Sequence, residues 1–474
     1  MRKGIINSKS FFNAEAGLRI DPDIYLSEGS VIRNELKNLP YQRSTVGENA
    51  ADVFCGNIFS RFFVSKPDHG MPYLSASDTM LADLDTGRYL SKKQASSLSY
   101  LMLKKDWILV TCSGTLGNLT YTNRNFENHI ATHDLIRIIP NSNKVNRGTL
   151  YAFLSSKFGY YQITQSQFGG VVKHINAEQT KGIVVPVFPD IFQQEVDKLI
   201  QESAVLREQA TILVKDAKAL LKLEAGLPDL TVEDYNYFIP RYEGRAVSTF
   251  SRNIKELGTI SFNAFNYSER VRINILERLK SIKNISFYDA LDENKLRSPS
   301  GVAVTELKEG HGIMLINQSD IFNRIVKGKW VPKKQKYTKD LLEEGEILIA
   351  KIGTLGENET FCRCIYVGEE LKGQLISSAF YRFKPSNKIP SGYLYAWLSS
   401  DYGFRLIRSS QYGTKQCYPN PSILYNYPVP IIDDDKMKEV DRMIKDAHHL
   451  MHLANDNERK AIAMVEAEIE KWNQ

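Results

Sequence analysis

The sequence predicts an α+β protein built as two repeated globular domains separated by two long helices. Three observations carry that expectation: a length of 474 residues, two near-identical blocks 244 residues apart, and two stretches of unbroken helical heptad spacing.

The length exceeds what one hydrophobic core organises, so at least two domains are expected. Hydrophobic residues at 42% and charged residues at 24% are those of a folded chain. The 61 Lys and Arg against 55 Asp and Glu give a net charge of +6, which permits a nucleic-acid partner without requiring one. Five cysteines, Cys55, Cys112, Cys362, Cys364 and Cys417, form no CxxC pair. They read as reduced cytoplasmic thiols, because a single intervening residue suits neither zinc nor redox spacing. Residues 1–18 carry Arg2, Lys3 and Lys9 without an apolar run, so no signal peptide is expected. No stretch approaches the roughly 18 apolar residues of a membrane span, so neither a membrane partner nor a location outside the cytoplasm is expected.

The repeat fixes the architecture. Leu150-Tyr-Ala-Phe-Leu-Ser-Ser-Lys-Phe-Gly159 matches Leu394-Tyr-Ala-Trp-Leu-Ser-Ser-Asp-Tyr-Gly403, with seven identities in ten positions. The same offset carries Ser166-Gln-Phe-Gly169 onto Ser410-Gln-Tyr-Gly413 and Val185-Pro-Val187 onto Val429-Pro-Ile431. Upstream, Gly114-Thr-Leu-Gly117 aligns with Gly353-Thr-Leu-Gly356 at an offset of 239, and Phe12-Asn-Ala14 recurs as Phe262-Asn-Ala264. Between the matched blocks, residues 61–105 and 309–342 share little, as two readers of different targets would, although surface loops also drift apart without selection.

Trp107-Ile-Leu-Val-Thr111 and Glu346-Ile-Leu-Ile-Ala350 read as buried strands entering tight glycine turns. Residues 150–156 and 394–400 read as short amphipathic helices packed on them. From Phe192, Val196, Leu199, Ser203, Leu206, Ala210, Leu213, Ala217 and Leu220 step by three then four residues, a coiled-coil seam. Val440, Met443, Ala447, Leu450, Ala454, Asn457, Ala461 and Met464 repeat it, with Asn457 as the polar position that sets register. Gly226-Leu-Pro228 should end the first helix, through a left-handed cap followed by a residue that cannot continue the ladder. The expected division is a first domain at 1–188, a helix at 189–225, a linker at 226–245, a second domain at 246–432 and a second helix at 433–474.

Catalytic chemistry is not evident. The Gly-Thr-Leu-Gly turns lack the lysine of a phosphate loop. Asn420-Pro-Ser-Ile423 lacks the second proline and the aromatic of a base-methylating motif, and no glycine-rich cofactor loop accompanies it. Glu195, Asp197 and Lys198, with their copies Glu439, Asp441 and Arg442, read as the solvated face of the long helices. His448, His449 and His452 lack a further ligand and read as surface or interhelical residues. No catalytic residue, cofactor or metal is therefore expected.

Nucleic-acid chemistry has candidates. Arg324, Lys327, Lys329, Lys333, Lys334 and Lys336 surround Trp330 with no acid between Asn323 and Lys336. Such cations neutralise phosphates, and the indole can pack on sugar or base, although a lysine-rich solvated loop would read the same way. Arg88, Lys92 and Lys93 are the weaker counterpart in the first unit. After the repeated Ser-Gln-aromatic-Gly turn come Gly170, Lys173 and His174 in one copy and Thr414, Lys415 and Gln416 in the other. Glycine lets backbone approach a ligand, and Lys or Gln can meet base edges, although these are equally the residues of a structural turn.

The duplicated order of Gly-Thr-Leu-Gly turn, Leu-Tyr-Ala-aromatic-Leu-Ser-Ser helix, Ser-Gln-aromatic-Gly turn and Val-Pro hinge into a long helix resembles the specificity (S) subunit of Type I restriction-modification systems. The resemblance spans nearly the whole chain. It implies two target-recognition domains held by two antiparallel coiled-coil helices, 191–223 and 434–472, with Val196, Leu199, Leu206, Leu213, Leu220, Val440, Met443, Leu450 and Asn457 in the seam. It also implies a split double-stranded DNA target, two adenine-methyltransferase (M) subunits and restriction and translocation (R) subunits as partners. A standalone two-headed DNA-binding regulator, or the recognition arm of a restriction enzyme outside Type I, would present the same basic loops.

Overall fold

The computed structural model describes residues 28–37, 39–64, 67–141, 144–165, 174–231, 251–257, 260–267, 275–302, 304–356 and 359–472. The motifs Phe12-Asn-Ala14 and Ser166-Gln-Phe-Gly169, and most of the linker expected at 226–245, lie outside them. The chain divides into two compact units, residues 1–208 with 453–474, and residues 209–452.

In the first unit, helix α1 (Glu28–Lys37) precedes strands β1 (Arg43–Thr45), β2 (Ala50–Cys55), β3 (Phe63–Val64), β4 (Gly70–Leu74) and β5 (Tyr89–Ser91). Helix α2 (Lys92–Ser97), β6 (Ile108–Thr111), β7 (Leu119–Tyr121), β8 (Ile130–Ala131) and β9 (Leu135–Pro140) follow, then helices α3 (Arg147–Ser155) and α4 (Lys157–Gln165) and strand β10 (Val184–Pro186). The strands form a sheet of order β2-β9-β6-β7, a smaller sheet of order β3-β5-β4-β8, and the pair β1-β10.

Strand β6 shows why the run Ile108-Leu-Val is apolar throughout. Successive side chains point to opposite faces, and here both faces are covered. Ile108 and Val110 enter one core with Leu150, Phe153, Val196 and Ile200, whereas Leu109 enters another with Trp107, Leu74 and Leu135. The second unit repeats the device in β14 (Ile347–Ala350), where Ile347 and Ile349 join the core around Trp397 and Leu348 and Ala350 join the core around Ile316.

The helix behind the sheet of the first unit is buried all round over Gly148 to Leu154, which corrects the amphipathic expectation there; in its copy, Ser391–Leu398, only Ser391 and Tyr395 are half-buried. The sheet covers one side and a long helix the other. Serine and glycine make the sharp joint that follows. Gly159 donates its amide to Ser156 Oγ at 3.4 Å, and a Cβ on Gly159 would lie 2.4 Å from Leu154 Cα and from Phe153 O. In the second unit Gly403 donates to Ser400 Oγ at 3.2 Å, and its Cβ would lie 2.2 Å from Trp397 O.

Helix α5 (Asp190–Glu224) ends as its sequence predicts, with Gly226 at φ 63° and the Leu227 amide donating to Lys222 O at 3.0 Å. In the second unit come β11 (Asn284–Ser286), β12 (Ile313–Ile316), β13 (Lys329–Val331), β14, β15 (Cys364–Tyr366), β16 (Leu375–Ile376) and β17 (Phe380–Phe383). Helices α6 (Ser391–Leu398) and α7 (Asp401–Ser409), strands β18 (Gln411–Tyr412), β19 (Tyr418–Pro419) and β20 (Pro428–Pro430), and helix α8 (Asp434–Glu470) complete it. The orders are β15-β14-β17, β13-β12-β16, β11-β20 and β18-β19. The divergent inserts thus share a plan: β4 pairs antiparallel with β5 and parallel with β8, as β12 does with β13 and β16.

Within the first unit, the start of α5 packs antiparallel to the end of α8. Ser203 Oγ donates to Ala454 O at 2.8 Å, and Val196 and Ile200 share a core with Ala461, Val465 and Ile469. The small residues Ser203, Ala210, Ala217, Ala447, Ala454 and Ala461 are the buried row, as the spacing predicts, with Val196 and Val440. The expected partners Leu199, Leu206, Leu213, Leu220, Met443 and Leu450 are only half-buried; Ile200, Leu221, Ile444 and Val465 take the second buried row. The line of burial turns by one residue because each helix also packs on its own globular unit. Asn457 is likewise half-buried, and the buried polar residues are Asn455 and Glu458. Arg207 donates to Asn455 Oδ1 at 2.9 Å and pairs with Glu458 at 2.7 Å, and the Tyr151 hydroxyl donates to Glu458 at 2.6 Å.

Asp197 and Asp441 are not part of a solvated face. Asp197 accepts from the Gly148 amide at 2.6 Å and Asp441 from the Gly392 amide at 2.7 Å, so each long helix caps a helix of its own unit. Glu195, Lys198 and Arg442 are exposed as expected, and Glu439 is half-buried. His448 packs against Tyr366 and Tyr395, whereas His449 and His452 meet Glu369 and Glu370. Among the described residues no cluster of three or more metal-ligating side chains occurs, and no helix is long and apolar enough to cross a membrane.

Candidate nucleic-acid interface

The glycine turns at the ends of β6 and β14 organise the surface. In the first unit, Gly114 and Gly117 have φ of 73° and 78°, a region open to glycine, and Thr111 Oγ1 donates to Thr115 O at 2.6 Å across the turn. Ser113 bridges to His174, which brings the segment from residue 174 onward beside the turn. His174 is half-buried, and Gly170 and Lys173 lie outside the described residues.

In the second unit the corresponding segment is a hairpin, β18 to β19. Cys417 donates its amide to Gly353 O at 2.7 Å, and Asn263 of the repeated Phe-Asn-Ala motif donates to Gln411 O at 3.1 Å. The tip leaves Thr414, Lys415 and Gln416 exposed. Gly413, at φ 101°, has no room for a Cβ, which would lie 2.2 Å from Gln416 O. Tyr412 and Tyr418 stack at 5.7 Å below the tip, and the Tyr418 hydroxyl donates to Gln416 Oε1 at 2.9 Å. Lys351, one residue past β14, lies 5.0 Å from the Tyr381 ring centre, and burial lowers its pKa. Sequence spacing marks Tyr412 only as the aromatic of the repeated turn and does not single out Lys351 or Tyr418.

The basic run lies on a different sheet. Lys329 and Trp330 are in β13, and the flanking Lys327, Lys333, Lys334 and Lys336 are exposed. Trp330 is half-buried opposite Met314, and Lys336 lies 5.1 Å from the Tyr337 ring centre. The run is free of acids in sequence but not in space, since Lys329 pairs with Glu306 at 3.4 Å. Arg324 is half-buried.

Arg88 departs from its expected role. It forms an ion pair with Asp78, whose carboxylate also accepts from the Ser75 amide and hydroxyl, so Arg88 braces a turn. Lys92 and Lys93 are exposed at the start of α2. Gln94 ties a strap onto that helix: its Oε1 accepts from the Phe62 amide at 3.0 Å and its Nε2 donates to Ser60 O. The strap exposes Ile58, Phe62 and Phe63, at 87%, 65% and 49%, with Tyr100 beside it at 44%. Exposed apolar side chains thus stand next to two exposed lysines, the pairing of groups that candidate interaction surfaces present. A sequence reading misses it because Phe62-Phe-Val resembles a core strand.

Exposed cations that neutralise phosphate, polar tips that can reach base edges, and aromatic groups beside both are the chemistry of DNA recognition. Residues 49–202 match the family model of the Type I restriction modification DNA specificity domain. That match covers much of the first unit. Among solved structures, the chain is similar to the S subunit of the Type I restriction-modification system from M. genitalium, at 13% identity and a TM-score of 0.30 over 92% of this chain and 95% of that one. It is also similar to the HsdS subunit from Thermoanaerobacter tengcongensis, at 13% identity and a TM-score of 0.26 over 90% and 96%. A third similarity, to the type IIG restriction endonuclease BpuSI, has 12% identity and a TM-score of 0.29, and spans 39% of this chain and 29% of that one. No curated protein matches.

Proposed function

We propose that this chain is the DNA-reading specificity subunit of a Type I restriction-modification complex, with no catalytic centre of its own. Each globular domain, 1–188 and 246–432, reads one half of a split target. Two adenine-methyltransferase subunits, and restriction and translocation subunits where present, act at the site it selects. The observation that carries this reading is the duplication itself. A unit matching a DNA specificity domain is followed, 244 residues on, by a second with the same capped helix and the same glycine joint, but with a different insert. Two like frames with unlike surfaces suit a bipartite target.

Co-expression with an adenine methyltransferase, followed by mapping of methylated adenines, tests the reading. The expected result is a two-part motif with a fixed gap that disappears when this chain is omitted. Methylation independent of the chain, with DNA binding by the chain alone, would instead favour a standalone regulator.

A further inference from the structure

Two cysteines of the first unit lie together where the candidate interface leaves the sheet. Cys55 is the last residue of β2 and is exposed; Cys112 follows β6 and is buried. Their sulfurs are 3.6 Å apart, and Cys55 Sγ also donates to His133 O at 3.1 Å. A disulfide needs about 2.05 Å, so the sulfurs must approach by only about 1.5 Å. Sequence spacing conceals the pair, since 57 residues separate its members.

The surroundings favour a reactive Cys55. Arg137 is fully buried between the two cores and donates to three carbonyl oxygens, of Leu135, Ala131 and Thr132, while its Nε has no partner. The hydrogen bond from Cys112, and then the charge of Arg137, lower the Cys55 pKa against the effect of burial. The Cys112 pKa is raised, first by that same hydrogen bond to Cys55 and next by burial. The second unit has no equivalent: its Cys362, Cys364 and Cys417 are buried, and the position aligned with Cys112 is Lys351.

We propose that Cys55 and Cys112 form a reversible oxidation site for hydrogen peroxide, and that their disulfide displaces the backbone holding residues 174–175. The Cys55 thiolate attacks one peroxide oxygen, the O–O bond breaks, and hydroxide leaves and takes a proton to become water. The Cys112 sulfur then attacks the Cys55 sulfenic acid; the S–S bond forms, the S–O bond breaks, and the departing hydroxide takes the Cys112 proton. Two thiols and one peroxide give one disulfide and two waters. The mechanical link is direct, because Cys112 O accepts from the Ile175 amide at 3.2 Å and Ser113 bridges to His174.

The test uses the full reduced chain, titrated with hydrogen peroxide, alkylated and mapped by mass spectrometry. The expected result is loss of two of the five alkylatable thiols, a linked Cys55–Cys112 peptide, and full reversal by dithiothreitol. Cys55→Ser should abolish the linkage, and Cys112→Ala should leave a Cys55 sulfenic acid that dimedone traps. Cys55 remaining alkylatable, or passing to higher acids without a linked peptide, would overturn the site. Hydrogen exchange at Ile175 should quicken several-fold on oxidation, and an unchanged rate would overturn the mechanical link. These readouts need no DNA, so their failure is distinct from failure of the specificity-subunit reading.

Discussion

The amide of Gly148 donates to the carboxylate of Asp197 at 2.6 Å, and 244 residues on the amide of Gly392 donates to Asp441 at 2.7 Å. Both glycines are needed for the approach: a Cβ on Gly148 would lie 2.9 Å from Asp197 Cα, and one on Gly392 would lie 2.7 Å from Asp441 O. Asp197→Ala should cost about 1 kcal/mol, the usual value of a helix cap, and Gly148→Ala about 1–3 kcal/mol through overpacking. Hydrogen exchange should quicken in 147–155 for these variants, and in 391–398 for Asp441→Ala. Uniform change across both segments would refute the local cap.

Glu458 is buried and held by Arg207 and Tyr151. Removing one partner of a buried pair strands the other charge, so Arg207→Ala should destabilise by about 3–5 kcal/mol in urea unfolding. Adding Glu458→Gln should recover part of that loss. A loss under about 1 kcal/mol would place the pair in the class of surface ion pairs.

His448 should set part of the acid sensitivity. As a residue it is half-buried, but its Nε2 is sealed from solvent and without a partner, and burial lowers its pKa to about 4. The unfolded chain, with a pKa near 6.5, binds the proton more readily, so the native state loses stability as pH falls from about 6.5 to about 4. The loss should reach roughly 3 kcal/mol by pH 4. His448→Phe should remove that part of the slope when unfolding is compared at pH 7 and pH 4.5; parallel wild-type and variant profiles would exclude the residue.

Replacing Lys327, Lys333, Lys334 and Lys336 by glutamine should weaken DNA binding across sequences alike. The salt dependence should fall by about 0.9 in log–log slope for each phosphate contact removed. Lys329→Gln should do less, since Glu306 already faces its ammonium group. An unchanged slope for the fourfold variant would remove this strip from the interface.

Much of the frame is legible in the sequence because glycine and alanine are placed by close approach. Gly159 and its copy Gly403, like the small residues of the helix seam, stand where backbone meets backbone, and Gly226 stands where the helix needs a left-handed cap. The shared plan of the inserts is not legible, since β4 and β12 are matched through main-chain pairing, which Gly-Met-Pro-Tyr-Leu and Ile-Met-Leu-Ile satisfy equally. Site reading divides the same way. Runs of lysine are visible, but Asp78 beside Arg88 and Glu306 beside Lys329 arrive from elsewhere in the chain. The exposed strap residues Ile58, Phe62 and Phe63 look like core until the fold places them outside.

The two-faced central strand has an evolutionary consequence. The frame meets the insert of the first unit largely through Trp107, Leu109 and Leu135, and the insert of the second partly through Leu348, Ala350 and Phe380. The opposite face, with its capped helix, keeps its own core. A foreign insert therefore has only a small apolar footprint to match. Recombination can exchange the insert as a cassette and leave the supporting half of the unit untouched.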